Sequence, residues 1–240
     1  MERLTGNQLE MLREFDTPTI CNAIEAFNIR SRIAGFGRIG MRQRMAYEKP
    51  MIGYASTAKV SAMYPPTPEQ AEMTMGYYQS VLDIDGPSIA VIQDIDPMPI
   101  GSFWGEVQAT THKAMGSVGT LTQGGVRDIP PVEELGYYFM STEILVSHGY
   151  IHIEDYACPV EICGLIIHPG DLIHADIHGF TVIPHSIAPR LYDACVDISN
   201  AELPMLEPCR RAIERSVRPT ADELRTWRKA MADARTSAER

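Results

Sequence analysis

Lysine is scarce in this chain: of 21 Lys and Arg residues, only Lys49, Lys59, Lys113 and Lys229 are lysines. That leaves few candidates for Schiff-base chemistry, and none is adjacent in sequence to the charged residues singled out below. Long apolar runs are also missing. The longest, such as "SIAVI" and "CGLII", fall far short of the ~20 residues a membrane span needs, so no membrane partner is expected. The opening "MERLTGNQLEMLREFD" is polar and carries no signal-peptide core, which leads us to expect a cytoplasmic protein. The five cysteines (Cys21, Cys158, Cys163, Cys195, Cys209) are odd in number and contain no C-x-x-C pair, which argues against a disulfide framework and a zinc knuckle. Positive charge is in deficit. A net charge of -10 argues against nucleic acid as a partner, because neutralising phosphates requires a basic surface. Residues 205–240 carry nine Lys or Arg against six Asp or Glu, an excess small enough for a solvated helix face. No internal repeat or low-complexity segment is present.

With 240 residues, 45% of them hydrophobic, the chain can bury a substantial core. In "FDTPTICNAIEAF", Thr17 reads as an N-cap and Pro18 as the first residue of a helix over 18–27, with Ile20, Ile24 and Phe27 on one face. Then come the β-prone "MIGYASTAKVSAM", the helical "PEQAEMTMGYYQSVLDI", and the buried strands "SIAVIQD" and "SVGTLTQ" flanking the helix "GEVQATTHKAM". This alternation predicts an α/β fold with a partly parallel sheet. After residue 137 the pattern is mostly β. From Pro189 it is helical again, broken by Pro204, Pro208 and Pro219, with a capping-box pattern at Thr220 and Glu223. Residues 1–188 therefore read as the main body and 189–240 as a helical extension that packs on the body or on a neighbouring subunit.

"GFGRIG", Gly35 to Gly40, matches a dinucleotide-binding template, but its flanks "NIRSRIA" and "MRQRMAY" supply no preceding buried strand, so we read it as a decoy. "SHGYIHIED" holds His148, His152, Glu154 and Asp155; "HPGDLIHADIHG" holds His168, Asp171, His174, Asp176 and His178. Alternate strand residues share a face, so His152 with Glu154, or His174 with Asp176 and His178, are positioned to converge on a metal. The competing reading is that these histidines satisfy local hydrogen bonds around turns.

"GEVQATTHKAMGSVGTLTQGGVRD" places an acid at one end and an Arg-Asp pair at the other. Glu106 falls in the first turn of a helix beginning at Gly105, where free N–H groups and the helix dipole favour an anion. The following strand delivers Arg127 and Asp128 just past its carboxyl end, where ligands collect in open α/β sheets. Arginine holds carboxylate or enolate oxygens in a planar fork, and hard carboxylates suit Mg²⁺ or Mn²⁺. The plainer reading is that Glu106 caps its helix and Arg127 pairs with Asp128 on the surface.

Glu106, twenty intervening residues and Arg127-Asp128 together resemble the acid-x20-Arg-Asp signature of the RraA-like family. That family includes class II 4-hydroxy-4-methyl-2-oxoglutarate/4-carboxy-4-hydroxy-2-oxoadipate aldolases with oxaloacetate decarboxylase activity. "DTPTICNAIEAF", "GYASTAKV" and "GLIIHPGDLIHADIHGFTVIP" extend the resemblance over roughly residues 15–185. It implies a swivelling β/β/α fold assembled as a homotrimer or homohexamer, with active sites between subunits. It also implies a 2-oxo acid as small-molecule substrate, the metal on Asp128, Arg127 on the pyruvoyl oxygens, and the amides of Gly105-Glu106-Val107-Gln108 on the pyruvoyl carboxylate. The base for the C4 hydroxyl is then expected to be a water on the metal oriented by Glu106, with a tail carboxylate of a neighbour such as Glu202 or Glu207. Two departures stand out. Val107-Gln108 replaces the family's Leu-Leu, and Glu106 replaces the Asp of characterised aldolases. Other members inhibit a ribonuclease by direct contact without catalysis; they lack the acid that Glu106 supplies here. A methyltransferase label sometimes attached to the family finds no nucleoside-binding loop in this sequence.

Overall fold

A computed structural model describes residues 3–238. In chain order the elements are α1 (Gly6–Leu12), α2 (Thr17–Glu25), β1 (Arg42–Gln43), β2 (Met51–Ser61), α3 (Pro68–Leu82), β3 (Ser88–Asp94), α4 (Glu106–Ala114), β4 (Ser117–Val126), α5 (Ile129–Leu135), β5 (Tyr138–Ile144), β6 (His152–Tyr156), β7 (Val160–Ile162), β8 (Leu165–Ile167), β9 (Leu172–Asp176), β10 (Gly179–Ile183), α6 (Leu191–Glu214) and α7 (Ala221–Ser237). They form two compact units, one from the residues up to Thr17 with Gly35–His185, the other from Pro18–Ala34 with the chain from Ser186 onward.

The first unit is built on a mixed sheet in the order β1-β5-β4-β3-β2-β9-β10, with β6 also pairing β2. The β2/β3, β3/β4 and β4/β5 pairs are parallel, and β9, β10, β6 and β1 add antiparallel partners. Helices α3, α4 and α5 each connect two successive parallel strands, which is the α/β alternation expected from the sequence. The strands read as unbroken apolar runs because both faces are buried. On β3, Ala90 and Ile92 join a cluster with Tyr77, Val81, Trp104 and Phe139, whereas Ile89 and Val91 join Leu121, Val160, Ile162 and Ile167 on the other face. The β7–β8 hairpin is fastened to that second face by two glutamine side chains. Gln93 Oε1 accepts the Glu161 amide at 3.0 Å and Gln123 Oε1 accepts the Cys163 amide at 3.3 Å.

Thr17 was expected as an N-cap, yet it is the first residue of α2. Its amide donates to Asp176 Oδ2 at 2.8 Å and its hydroxyl meets His174 Nδ1 at 2.9 Å, so a carboxylate distant in sequence does the capping. "GFGRIG" is a strap along β10. Phe36 bridges to Thr181, the Gly37 amide donates to the Phe180 carbonyl, and a Cβ on Gly37 would lie 2.1 Å from the Phe180 ring. The glycine makes room for an aromatic ring. Helices α1 and α5 escaped the sequence reading, being short and, in α5, opened by prolines.

In the second unit α6 runs through Pro204 and Pro208 without interruption, contrary to the break expected there. Four residues apart, the two prolines lie on one side of the helix, so the missing amide bonds fall on that side while the other turns keep theirs. The break comes at Ser216, in a left-handed conformation, and the Thr220–Glu223 capping box then starts α7. Leu224, Trp227, Met231 and Ala234 form a half-buried stripe on α7, and Arg235 bonds Glu202 of α6 at 2.5 Å. Among the described residues no helix is long and apolar enough to cross a membrane.

One buried acid bears on stability. Asp94, at the end of β3, is 5% exposed; its Oδ1 accepts the Asp96 amide at 3.0 Å, while Oδ2 has no partner. Burial pushes its carboxyl up to about 6. The folded state thus binds this proton more tightly than the unfolded state, and the stabilisation is lost as pH rises from about 4 through about 6. Asp94→Asn should remove that slope and raise stability above pH 6 by about 1–3 kcal/mol. Urea unfolding at pH 5 and pH 8 checks this, and a variant less stable than wild type at pH 8 would sink it.

Candidate active site

The site begins with a buried tryptophan. Trp104 is fully buried, with ring centroids 4.6 Å from His112, 5.4 Å from Phe103 and 5.7 Å from Tyr137. It continues the sheet as a parallel bridge to Val126, and its carbonyl accepts the Arg127 amide at 3.0 Å. The residues after Trp104 are therefore laid beside those after Val126. Gly105 and Glu106 meet Arg127 and Asp128 by extension of sheet pairing.

Asp128 sits in the left-handed region, φ 56° and ψ 41°, which Asp tolerates better than most side chains. Its Oδ2 accepts the Glu106 amide at 3.1 Å. A Cβ at Gly105 would stand 2.5 Å from that oxygen and 3.2 Å from Arg127 Nε. The φ of Gly105 is -157°, open to any residue, so this glycine is required for space. Arg127 Nε lies 3.9 Å from Asp128 Oδ2, beyond hydrogen-bond range, and has no partner although it is buried. The Arg-Asp pairing of the plainer sequence reading is loose, with the two side chains 36% and 39% exposed.

Nor does Glu106 cap α4. No side chain of the N-cap Gly105 can serve, and the carboxylate that reaches the helix start belongs to Asp128. Among the described residues the Glu106 carboxylate and the Val107 and Gln108 amides have no partner. Gln108 is held from α3, its Oε1 accepting the Tyr78 hydroxyl at 2.9 Å. His112 Nδ1 meets the Gln108 carbonyl at 2.7 Å and its Nε2 meets the Tyr77 hydroxyl at 2.9 Å. Burial pushes His112 down to about 4, so its ring is neutral at pH 7. Trp104, Tyr78 and His112 were missed in the sequence; the aromatic pairs "FW" and "YY" were signals for the first two, and His112 carried none.

A hard divalent cation fits this arrangement. Asp128 has one oxygen held by an amide and the other without a partner among the described residues, and a cation that keeps most of its waters needs few protein ligands. No group of three or more His, Cys, Asp or Glu with metal-holding geometry occurs among the described residues. The histidines are engaged locally: His152 with Glu154 at 3.0 Å, His174 with Thr17, and His178 with Asp176 at 3.1 Å. In the second unit, Glu202 is tied to Arg235 and Glu207 to Arg211.

A family model described as Aldolase/RraA, RraA-like, matches residues 17–182. The chain belongs to the RraA-like family. It is 22% identical over 207 residues to MJ0644 of Methanocaldococcus jannaschii, covering 83% of this chain and 87% of that protein. It is also 29% identical over 103 residues to Protein DlpA of Legionella pneumophila, but that match spans 42% of this chain and only 17% of DlpA. Among solved structures, a Pseudomonas syringae pv. tomato protein superposes with a TM-score of 0.68 at 20% identity, over 94% of this chain and 95% of that one. RraAS2 of Streptomyces coelicolor, described as an unusual member of the RNase ES inhibitor RraA protein family, has a TM-score of 0.66 at 23% identity, over 84% and 96%. The swivelling β/β/α arrangement expected of an RraA-like chain is the fold these neighbours share.

Gly105→Ala should leave the fold intact while driving the Asp128 carboxylate off the Glu106 amide. Hydrogen exchange at Glu106 should then accelerate by about tenfold, the equivalent of about one hydrogen bond. Unchanged protection at that amide would show that the glycine does not hold the gap open for Asp128.

Proposed function

We propose that this protein is a divalent-metal-dependent lyase that cleaves a 4-hydroxy-2-oxo diacid of the 4-hydroxy-4-methyl-2-oxoglutarate type to pyruvate by a retro-aldol reaction. Oxaloacetate decarboxylation accompanies that activity or is the main one, and the working unit is a homotrimer or homohexamer. The observation that supports this reading is the meeting at one strand end of a guanidinium only loosely paired with its neighbour, a half-exposed carboxylate, and a helix start whose Val107 and Gln108 amides have no partner among the described residues.

In the retro-aldol step the C4 hydroxyl loses its proton, the C3–C4 bond breaks, and the electron pair becomes a pyruvate enolate that later takes a proton at C3. Asp128 would hold Mg²⁺ or Mn²⁺, which when bound supplies a Lewis acid for the developing enolate oxygen. Arg127 offers donors to the oxo acid, and the Val107 and Gln108 amides at the positive end of α4 suit its carboxylate. Glu106, exposed and unpaired, takes the C4 hydroxyl proton directly or through water. Positive charge is thus in place before the electrons arrive, which is where most of such a barrier is lowered. Lysine chemistry is not needed, since Lys113 is bound to the Leu135 carbonyl and Lys49 to Glu14.

Pyruvate release from a panel of 4-hydroxy-2-oxo diacids and oxaloacetate tests the reading. Turnover should vanish with chelator and return with Mg²⁺ or Mn²⁺, and borohydride with pyruvate should trap nothing; a covalent adduct would overturn the metal-dependent class. Arg127→Lys keeps charge but loses the planar fork, so kcat/KM should fall by about 10² or more. Glu106→Gln should cost at least about 10- to 100-fold. If that variant, folded and metal-loaded, turns over at the wild-type rate, Glu106 is no base, and the non-catalytic alternative of an RraA-type protein that binds a ribonuclease gains.

A further inference from the structure

The geometry points to Lys113 as a positioning residue for the candidate site: it closes the far end of a two-rung clamp between α4 and α5 whose near rung is the bond from the Glu106 amide to Asp128. Helices α4 and α5 each return the chain between parallel strands, so they run parallel to each other and start at the carboxyl end of the sheet. At the starts, the Glu106 amide donates to Asp128 Oδ2 at 3.1 Å. At the ends, Lys113 Nζ donates to the Leu135 carbonyl and stands 3.4 Å from the Gly136 carbonyl. The rungs match in sequence. Glu106 and Lys113 are seven residues apart, Asp128 and Leu135 are also seven apart, and each rung spans 22 positions. Seven residues make two helical turns, ~10.5 Å, so both rungs lie on the facing sides of the pair and share one register. A slip of α5 by one turn, ~5.4 Å, would break both.

Helix α5 depends on such ties. It has seven residues, too few for a stable isolated helix, and Pro130 and Pro131 donate no amide. Val132 is buried, and Ile129 and Leu135 pack half-buried on the same cluster. Charge favours the clamp as well. Parallel neighbouring helices align their dipoles unfavourably, and a carboxylate at both starts with an ammonium at both ends offsets this. Asp128 is the N-cap residue of α5 with its side chain on the first amide of α4; Lys113 lies in the last turn of α4 with its Nζ at the end of α5. Gly136, which ends α5 at φ 68°, leaves room for the ammonium, since a Cβ there would sit 3.4 Å from Nζ. Lys113 is exposed, so this rung adds little stability; what it sets is where α5 places Asp128. The consequence for metal rests on the reading of Asp128 proposed above, whereas the clamp itself does not.

The test compares Lys113→Met, which keeps the stem and loses the donors, with Lys113→Arg, which keeps a charged donor, and with Lys229→Met, which removes a lysine charge from α7. Hydrogen exchange is followed at the Glu106 amide and at the Ala109 amide, which donates to the Gly105 carbonyl within α4's own first turn. Mn²⁺ affinity is read by paramagnetic resonance. Lys113→Met should speed exchange at Glu106 by about three- to tenfold, the weakening of one hydrogen bond, leave Ala109 within about twofold, and bind Mn²⁺ several-fold more weakly. Lys113→Arg and Lys229→Met should match wild type within about twofold in all three readings. Unchanged exchange at Glu106 in Lys113→Met overturns the assignment, as does equal acceleration at Glu106 and Ala109, the mark of a generally loosened helix. A Lys113→Arg variant that behaves like Lys113→Met overturns the donor role. Faster exchange at Glu106 with unchanged Mn²⁺ affinity shows that the clamp does not reach the ligand side of Asp128, and overturns the positioning role. Wild-type protein that binds no Mn²⁺ overturns the metal reading of Asp128, and the exchange rates then decide the clamp alone.

Discussion

The hydrogen bond from the Glu106 amide to Asp128 Oδ2, 3.1 Å long, is the stitch on which the candidate site depends. It joins the start of α4 to the residues that leave β4, and three features serve it. Trp104, locked in the core, carries the chain to the right place; Gly105 leaves room for the oxygen; and Asp128 adopts a left-handed conformation that turns its side chain back. A hydrogen bond to a carboxylate contributes about 1.5–3 kcal/mol when shielded, and the left-handed residue costs about 1–2 kcal/mol. With Asp128 39% exposed, the two nearly offset. The stitch therefore sets geometry more than it adds stability.

Three of the six buried side-chain atoms without a partner among the described residues lie near this end of the sheet: Asp94 Oδ2 at the end of β3, Arg127 Nε just past β4, and Trp104 Nε1 on the residue bridged to Val126. Each buried orphan costs about 1–3 kcal/mol. Such a cost is tolerable because the sheet behind it is buried on both faces and held by two apolar clusters. A rigid scaffold with strained strand ends is the arrangement in which a polar ligand gains most from binding, since it supplies the missing partners.

Much was legible in the sequence because it is written in short windows. Runs such as "SIAVIQD" specify strands buried on both faces, Thr220 with Glu223 specifies a helix start, and the flanks of "GFGRIG" already spoke against a nucleotide loop. The resemblance carried by Glu106, Arg127 and Asp128 pointed to the RraA-like family, to which the chain belongs. Local rules failed where a distant group took over. Pro204 and Pro208 should end a helix, yet they share one side of α6 and the helix continues; Thr17 should cap α2, yet Asp176 takes its amide.

By itself, then, the sequence determined most of the helices and strands, which strands are buried on both faces, and that Arg127 and Asp128 stand just past a strand end, because each of these follows from the chemistry of a few neighbouring residues. Only the tertiary structure decided which carboxylate meets the start of α4, that Arg127 pairs only loosely with Asp128, and that the Tyr78 hydroxyl reaches Gln108. Those bonds link residues 22 and 30 positions apart, and no local propensity selects among such partners. The choice is made by packing: the side chains of α3, α4 and β4 fill one core, and the polar groups at its rim bond with whatever that packing brings within 3 Å or so.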